Sequence, residues 1–275
     1  MGQAMIFAAG LGTRLRPLTD TMPKALVPVG GKPLLAHVIE RLQTAGYERL
    51  VINVHHFADQ IEQYLRAHQN FGLDIAVSDE REQLLDTGGG LKKAATLFDD
   101  DEPILIHNVD ILDNVDYEWL RRQHLPDEDA VLLVSRRKTK RYLLFDNAMR
   151  LMGWTNTETG EVRSPYPWLR ESEFTIDEEW KVKVAEDSSL FTLHSSLTAF
   201  AFSGIHSFSP SLFRLMDRFP DRFPIMDFYL SVCHRSRIVG CIKDDLQVLD
   251  VGKPGAQEQA ETFLMTSLSQ TNRKS

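Results

Sequence analysis

Short apolar runs of strand length alternate with segments of helical period through the first half of the chain, and this alternation constrains the fold most. Ala4-Met5-Ile6-Phe7-Ala8-Ala9 opens the series and ends at Gly10. From Lys32 to Leu42 the apolar positions 34, 35, 38, 39 and 42 share one helical face, and Gly46 suits the stop. Leu50 to Val54 is a strand, Ile61, Tyr64 and Leu65 mark a second helix, and Leu73 to Val77 is a third strand. Gly90 to Phe98 has helical character, and Pro103 to His107 is a fourth strand. Strands that alternate with helices predict crossover connections, hence an α/β fold with a mostly parallel sheet and helices on both faces.

The pattern changes after about residue 135. Tyr142 to Phe145 and Met149 to Trp154 suit antiparallel strands, while residues 156–195 are polar and give no clear period. Thr198 to Phe202 is apolar again and meets Gly204. Ser209-Pro210 suits a helix start, with the helix running to Met216. Ile225 to Cys233 reads as a helix, Arg237 to Ile242 and Leu246 to Val251 as strands. A terminal helix from about residue 254 turns Ala260, Phe263 and Leu264 inward, and 269–275 is a polar tail.

Thirty-one Lys and Arg against 39 Asp and Glu give a net charge of −8, which argues against a nonspecific nucleic-acid binder or a basic membrane-surface protein. Cys233 and Cys241 form neither a metal spacing nor a disulfide framework, so a reducing compartment is expected. The N-terminal apolar run is too short to span a membrane and lacks a basic flank. A cytoplasmic protein, monomeric or homo-oligomeric, is the expectation.

Gly10-Leu11-Gly12-Thr13-Arg14 follows the first strand. Glycines there let main-chain N–H groups approach a phosphate, and Arg14 adds a bidentate donor. By itself the loop reads first as a glycine turn with solvated arginines. The dinucleotide fingerprint would need glycine at Leu15, and the sequence contains no P-loop. The longer string is more informative: Gly10-x-Gly12-Thr13-Arg14-Leu15-x-Pro17-Leu18-Thr19, then Pro23-Lys24, then a short apolar stretch ending in Pro28-Val29. It resembles the signature of the sugar-1-phosphate nucleotidyltransferases.

The resemblance implies a Rossmann-like domain over 1–268, with a nucleotide-binding half at 1–135 and a small mixed sugar-binding lobe within 136–250. It implies a nucleoside triphosphate (NTP) lying on Ala9, Gly10, Gly12, Thr13 and Arg14, with Lys24 bridging the reacting phosphates. Asp86-Thr87-Gly88-Gly89-Gly90 matches a family segment that contacts the base, which would place Thr87, Gly88 and Gly89 against the nucleotide. Upstream the family places a Gln or Glu that reads a pyrimidine edge. Glu80 is the nearest match, with Glu82 and Gln83 as competitors.

Asp110 ends an apolar strand, where a carboxylate faces the ligand crevice and suits Mg²⁺. Leu249-Asp250-Val251-Gly252 repeats that arrangement. Family resemblance gives Asn108-x-Asp110 and Asp250-Val251-Gly252 the two metal ligands, Asp110 and Asp250. The family pattern departs at Val109 and at Lys253-Pro254. Phe202-Ser203-Gly204 resembles the segment that admits the sugar, with Trp154, Asn156 and Asp227 as further candidates. Trp154 suits core packing equally well. His55, His56, His107 and His206 have no metal spacing and read as structural.

The implied substrates are an NTP and a sugar-1-phosphate. The nearest resemblance is to N-acetylmuramate α-1-phosphate uridylyltransferases, followed by mannose-1-phosphate guanylyltransferases. A non-catalytic sugar-nucleotide-binding regulator on the same fold is the alternative of another class.

Overall fold

The computed structural model describes residues 2–99, 102–184, 196–253 and 255–271. Its first half contains β1 (Gly2–Phe7), β2 (Pro28–Val29), β3 (Lys32–Pro33), α1 (Leu34–Thr44), β4 (Tyr47–Val54), α2 (Ala58–Ala67) and β5 (Asp74–Asp79). These are followed by α3 (Asp86–Ala94), β6 (Ile104–Asn108), β7 (Ile111–Asp113), α4 (Tyr117–Arg122) and β8 (Ala130–Ser135). The second half begins with β9 (Arg141–Phe145), β10 (Leu151–Asn156), β11 (Glu161–Arg163), α5 (Pro167–Glu171), β12 (Phe174–Ile176) and β13 (Val182–Val184). It ends with β14 (Thr198–Phe208), α6 (Phe213–Met216), α7 (Ile225–Val232), β15 (Ile238–Ile242), β16 (Val248–Asp250) and α8 (Ala256–Thr271).

Among the described residues, ten strands form one sheet. Its main path runs β11-β10-β9-β14-β6-β1-β4-β5, with β8 also paired to β14 and β15 paired to β8. β6, β1, β4 and β5 are parallel, as the helical crossovers require. β14 runs antiparallel to β6, β8 and β9 and so joins the two halves.

Alternation along β1 divides the core. Ala4 and Ile6 face α1 and α2 through Leu35, Val38, Ile39, Leu42, Ile61 and Leu65. Met5 and Phe7 face α3 and α7 through Leu91, Ala94 and Phe228. Each fully buried large aliphatic side chain contributes about 1.5–3 kcal/mol. Covered on both faces and paired on both sides, β1 meets the glycine loop at its C-terminal end. No helix among the described residues is long and apolar enough to cross a membrane.

Four local expectations are corrected. α3 begins at Asp86, so its three glycines lie inside the helix and not before it. β14 continues to Phe208, and Gly204 sits in an irregularity between Phe202 and His206, with φ +85°, not at a strand end. β16 pairs antiparallel with β7 in a separate two-stranded ribbon, so Asp250 does not end a strand of the parallel sheet. Residues 156–195 include β11, α5, β12 and β13, around a third core of Tyr142, Leu144, Leu169, Val182, Leu197 and Ala199. The segment 185–195 lies outside the described residues.

Candidate active site

The C-terminal ends of β1 and β6 meet the β7–β16 ribbon, and the charged residues of the sequence motifs converge there. Asp110 lies in the short turn between β6 and β7. Asp250 pairs opposite Ile111, and the N–H of Val251 donates to the Asp110 carbonyl at 2.9 Å. The ribbon therefore fixes one aspartate against the other. Lys24 Nζ donates to Asp110 Oδ2, and Arg14 Nη1 lies 3.7 Å from Asp250 Oδ2.

Gly252 closes the arrangement. A Cβ placed on it would press against Lys24 Nζ and lie 2.9 Å from both Asp110 Oδ2 and Asp250 Oδ1. One point thus borders both carboxylates and the lysine. Any side chain at 252 would occupy that point. That point is a bond length from the Gly252 Cα and is no ion position, but it shows that an Asp110 and an Asp250 oxygen lie close together beside Lys24. Two such hard-oxygen donors suit a divalent cation completed by water and phosphate oxygens. Among the described residues, no group of three or more His, Cys, Asp or Glu could hold a metal alone.

The loop beside this point has two kinds of glycine. Gly12 has φ +64°, and a Cβ there would lie 2.8 Å from Thr19 Cγ2 and 3.1 Å from Lys24 Cβ. Its lack of a side chain seats the lysine stem. Gly10 has nothing within 4 Å and presents open main chain. Thr13 and Arg14 are exposed beside it, and the N–H groups at the start of the 3-10 turn Thr13–Leu15 lack helical acceptors.

Ala8 and Ala9 are held differently. Their N–H groups donate to Asn53 Oδ1 at 2.7 and 3.3 Å. Asn53 Nδ2 donates to Glu80 Oε1 at 2.7 Å, and the Leu85 N–H donates to Glu80 Oε2 at 3.0 Å. Glu80 is only 1% exposed, and burial raises its pKa. Glu80 was expected to read a base edge, and here both its oxygens are engaged beneath the surface. It braces the loop through Asn53, while Glu82 and Gln83 are exposed. Asn53 was missed, although a lone amide inside Leu50-Val51-Ile52-Asn53-Val54 was a visible signal.

Thr87, Gly88 and Gly89, expected against the nucleotide, make contacts within the chain itself. Thr87 Oγ1 accepts from the Ile225 N–H at 2.9 Å. The Gly88 and Gly89 N–H groups donate to the Phe223 carbonyl at 2.8 and 3.1 Å. A Cβ at Gly88 would collide with the Phe223 ring, and one at Gly89 with the Asp221 carbonyl. The backbone that approaches these glycines is the chain's own 221–223 segment. Gly89→Ala should therefore lower stability by about 1–3 kcal/mol through overpacking, measured by chemical unfolding without nucleotide. Unchanged stability with weakened nucleotide binding would restore the ligand role.

The candidate sugar residues fall into separate places. Gly204 backs onto Asn108: a Cβ there would lie 2.9 Å from Asn108 Nδ2. Trp154 and Asp227 are joined by Arg163, which sits 4.9 Å over the indole ring and donates to Asp227 Oδ1 at 3.2 Å. Arg163 was not foreseen. Asn156 Oδ1 accepts from the Glu158 N–H at 3.0 Å and lines a cavity of about 1210 Å³ with Tyr142, Thr155 and Trp180. Among the described residues, neither Trp154 nor Asp227 shares a hydrogen bond or ion pair with Lys24, Asp110 or Asp250.

Comparison with known proteins places this geometry. A Caulobacter vibrioides protein named N-acetylmuramate alpha-1-phosphate uridylyltransferase is 52% identical over 109 residues, 39% of this chain and 45% of that protein. A Neurospora crassa mannose-1-phosphate guanyltransferase is 37% identical over 144 residues, 51% of this chain and 39% of that protein. The aligned stretch thus spans under half the length of either relative. A solved structure of a putative glucose-1-phosphate thymidylyltransferase from Bacillus anthracis superposes with TM-score 0.71 at 14% identity, covering 96% of this chain and 95% of that one. That likeness supports the Rossmann-like fold. The family model described as nucleotidyl transferase matches residues 3–142, a span that includes the glycine loop, Lys24 and Asp110, and the chain belongs to that family.

Proposed function

We propose that this protein transfers a nucleoside monophosphate from an NTP to a sugar-1-phosphate at the Lys24–Asp110–Asp250 cluster. The convergence of these three groups at Gly252 carries the reading. A sugar-phosphate oxygen attacks the α-phosphorus. The α–β phosphoanhydride bond breaks, and pyrophosphate leaves with the bonding electron pair. The attacking oxygen is already anionic, so no general base is needed. The barrier lies in bringing polyanions together in line.

The residues answer that requirement. The open main chain at Gly10 and the N–H groups before Leu15 receive phosphate oxygens, and Arg14 adds a cation at the rim. Lys24 turns from Asp110 to the reacting phosphates and stabilises charge as it develops. Asp110 and Asp250 would hold Mg²⁺, and their paired oxygens fit it. Bound there, the ion would neutralise phosphate charge and orient the nucleotide. UTP and N-acetylmuramate 1-phosphate are the proposed substrates, supported by the higher identity to the Caulobacter relative. With Glu80 buried, Gln83 and Glu82 are the side chains left to meet a pyrimidine edge.

The test is pyrophosphate release with Mg²⁺, each of UTP, GTP, CTP, dTTP and ATP, and the 1-phosphates of N-acetylmuramate, N-acetylglucosamine, glucose and mannose. Release with UTP and the muramate compound is expected. Release only with GTP and mannose 1-phosphate would keep the mechanism and replace the substrates. Nucleotide binding without release from any pair would favour a regulatory protein.

A further inference from the structure

A buried polar cluster lies directly behind the Asp110 turn, and no step of the proposed reaction uses it. Asp113 ends β7 with a fully buried side chain. Its Oδ2 accepts from Arg41 Nη1 and from the Tyr117 hydroxyl, each at 2.8 Å, and lies 3.0 Å from His107 Nε2. Its Oδ1 accepts from the Val115 N–H at 2.8 Å. Arg41 reaches across from α1, donates also to the Val115 carbonyl at 2.7 Å, and covers the Tyr117 ring at 4.6 Å. A buried carboxylate is costly unless its lone pairs are filled, and an apolar residue would pack a strand end at lower cost. The cluster therefore calls for a role beyond filling space.

Its position supplies one. The His107 ring donates from Nδ1 to the Asn108 carbonyl at 2.8 Å, while its other nitrogen faces Asp113. Asn108 ends β6 before the turn that projects Asp110, and Asp113 is the far end of β7, the strand that follows that turn. The imidazole thus spans the base of that turn. Beyond it, β7 carries the constraint to the second aspartate, with Asp113 opposite Val248 and Ile111 opposite Asp250. A shift of Asp113 would move both carboxylates.

We propose that Asp113, held by Arg41, Tyr117 and His107, is the positioning residue that sets the spacing of Asp110 and Asp250 for a divalent cation. The inference rests on the reading of those two aspartates as metal ligands. Groups that orient a metal ligand typically change metal affinity by about 10- to 100-fold when removed.

The test uses the full chain with Asp113→Asn, Tyr117→Phe and Asp110→Asn. Mn²⁺ binding in the presence of a non-hydrolysable NTP analogue is read by electron paramagnetic resonance, so turnover is not required. Thermal unfolding is followed in parallel. Asp113→Asn is expected to weaken Mn²⁺ binding about tenfold or more. Tyr117→Phe keeps the ring and removes one donor, and should weaken it by a smaller factor, about threefold. The Mg²⁺ concentration for half-maximal turnover should rise in the same order, with KM for the sugar phosphate unchanged.

A lower melting temperature with parental Mn²⁺ affinity in Tyr117→Phe and in any folded Asp113→Asn would overturn the proposal and leave Asp113 a purely structural residue. Should Asp113→Asn fail to fold, Tyr117→Phe decides alone. Mn²⁺ binding that survives Asp110→Asn would instead overturn the site reading itself, and this inference with it.

Discussion

Asp110→Asn is expected to lower metal-dependent turnover roughly a thousandfold while the protein remains folded. Asparagine keeps the shape of the side chain and one oxygen but removes the charge that faces Asp250 across Gly252. The substitution also releases Lys24 from its ion pair. A lysine without its carboxylate attracts phosphate more strongly, so the variant should bind NTP without Mg²⁺ at least as tightly as the parent. Loss of turnover with retained metal-free nucleotide binding is the expected pair of results, measured by pyrophosphate release and calorimetry. Unchanged dependence of rate on Mg²⁺ would remove Asp110 from the metal site.

Lys24→Ala should show the opposite combination. Turnover is expected to fall roughly a hundred- to a thousandfold, the range seen when one donor aimed at developing charge is removed. The fold should persist, because alanine keeps the Cβ that packs beside Gly12. Metal binding should persist too, since both aspartates remain and Asp110 has lost its competitor. NTP affinity should fall, most clearly without Mg²⁺. Near-parental turnover in the folded variant would exclude Lys24 from the chemistry.

Much of the candidate site could be read from residue order because its charged groups are carried on short local motifs. Lys24 follows Pro23, Gly10 and Gly12 follow the first apolar run, and Asp110 closes another. Their meeting could not be read in the same way. The contact of Asp250 with that group depends on β16 joining β7, a pairing that no local period encodes. The glycine triplet shows the converse difficulty. Three glycines at a helix start announce a close approach, but nothing local says that Phe223 and Asp221 make it. The burial of Glu80 was not legible either, because a carboxylate on a loop is normally solvated, whereas Asn53 and Leu85 draw this one inward. The lobe after residue 156 was opaque because its strands are three residues long, too short for a period of two to emerge.

The β7–β16 ribbon also orders events during synthesis. A nascent chain that has emerged as far as α7 already holds Arg14, Lys24 and Asp110, but not the strand that delivers Asp250. Arg14, Lys24, Asp110 and Asp250 therefore cannot meet until the chain has emerged past β16. Val251 and Ala260 belong to the same core as Ala4, Ile6 and Leu35, so one late segment of the chain completes both that core and the carboxylate pair.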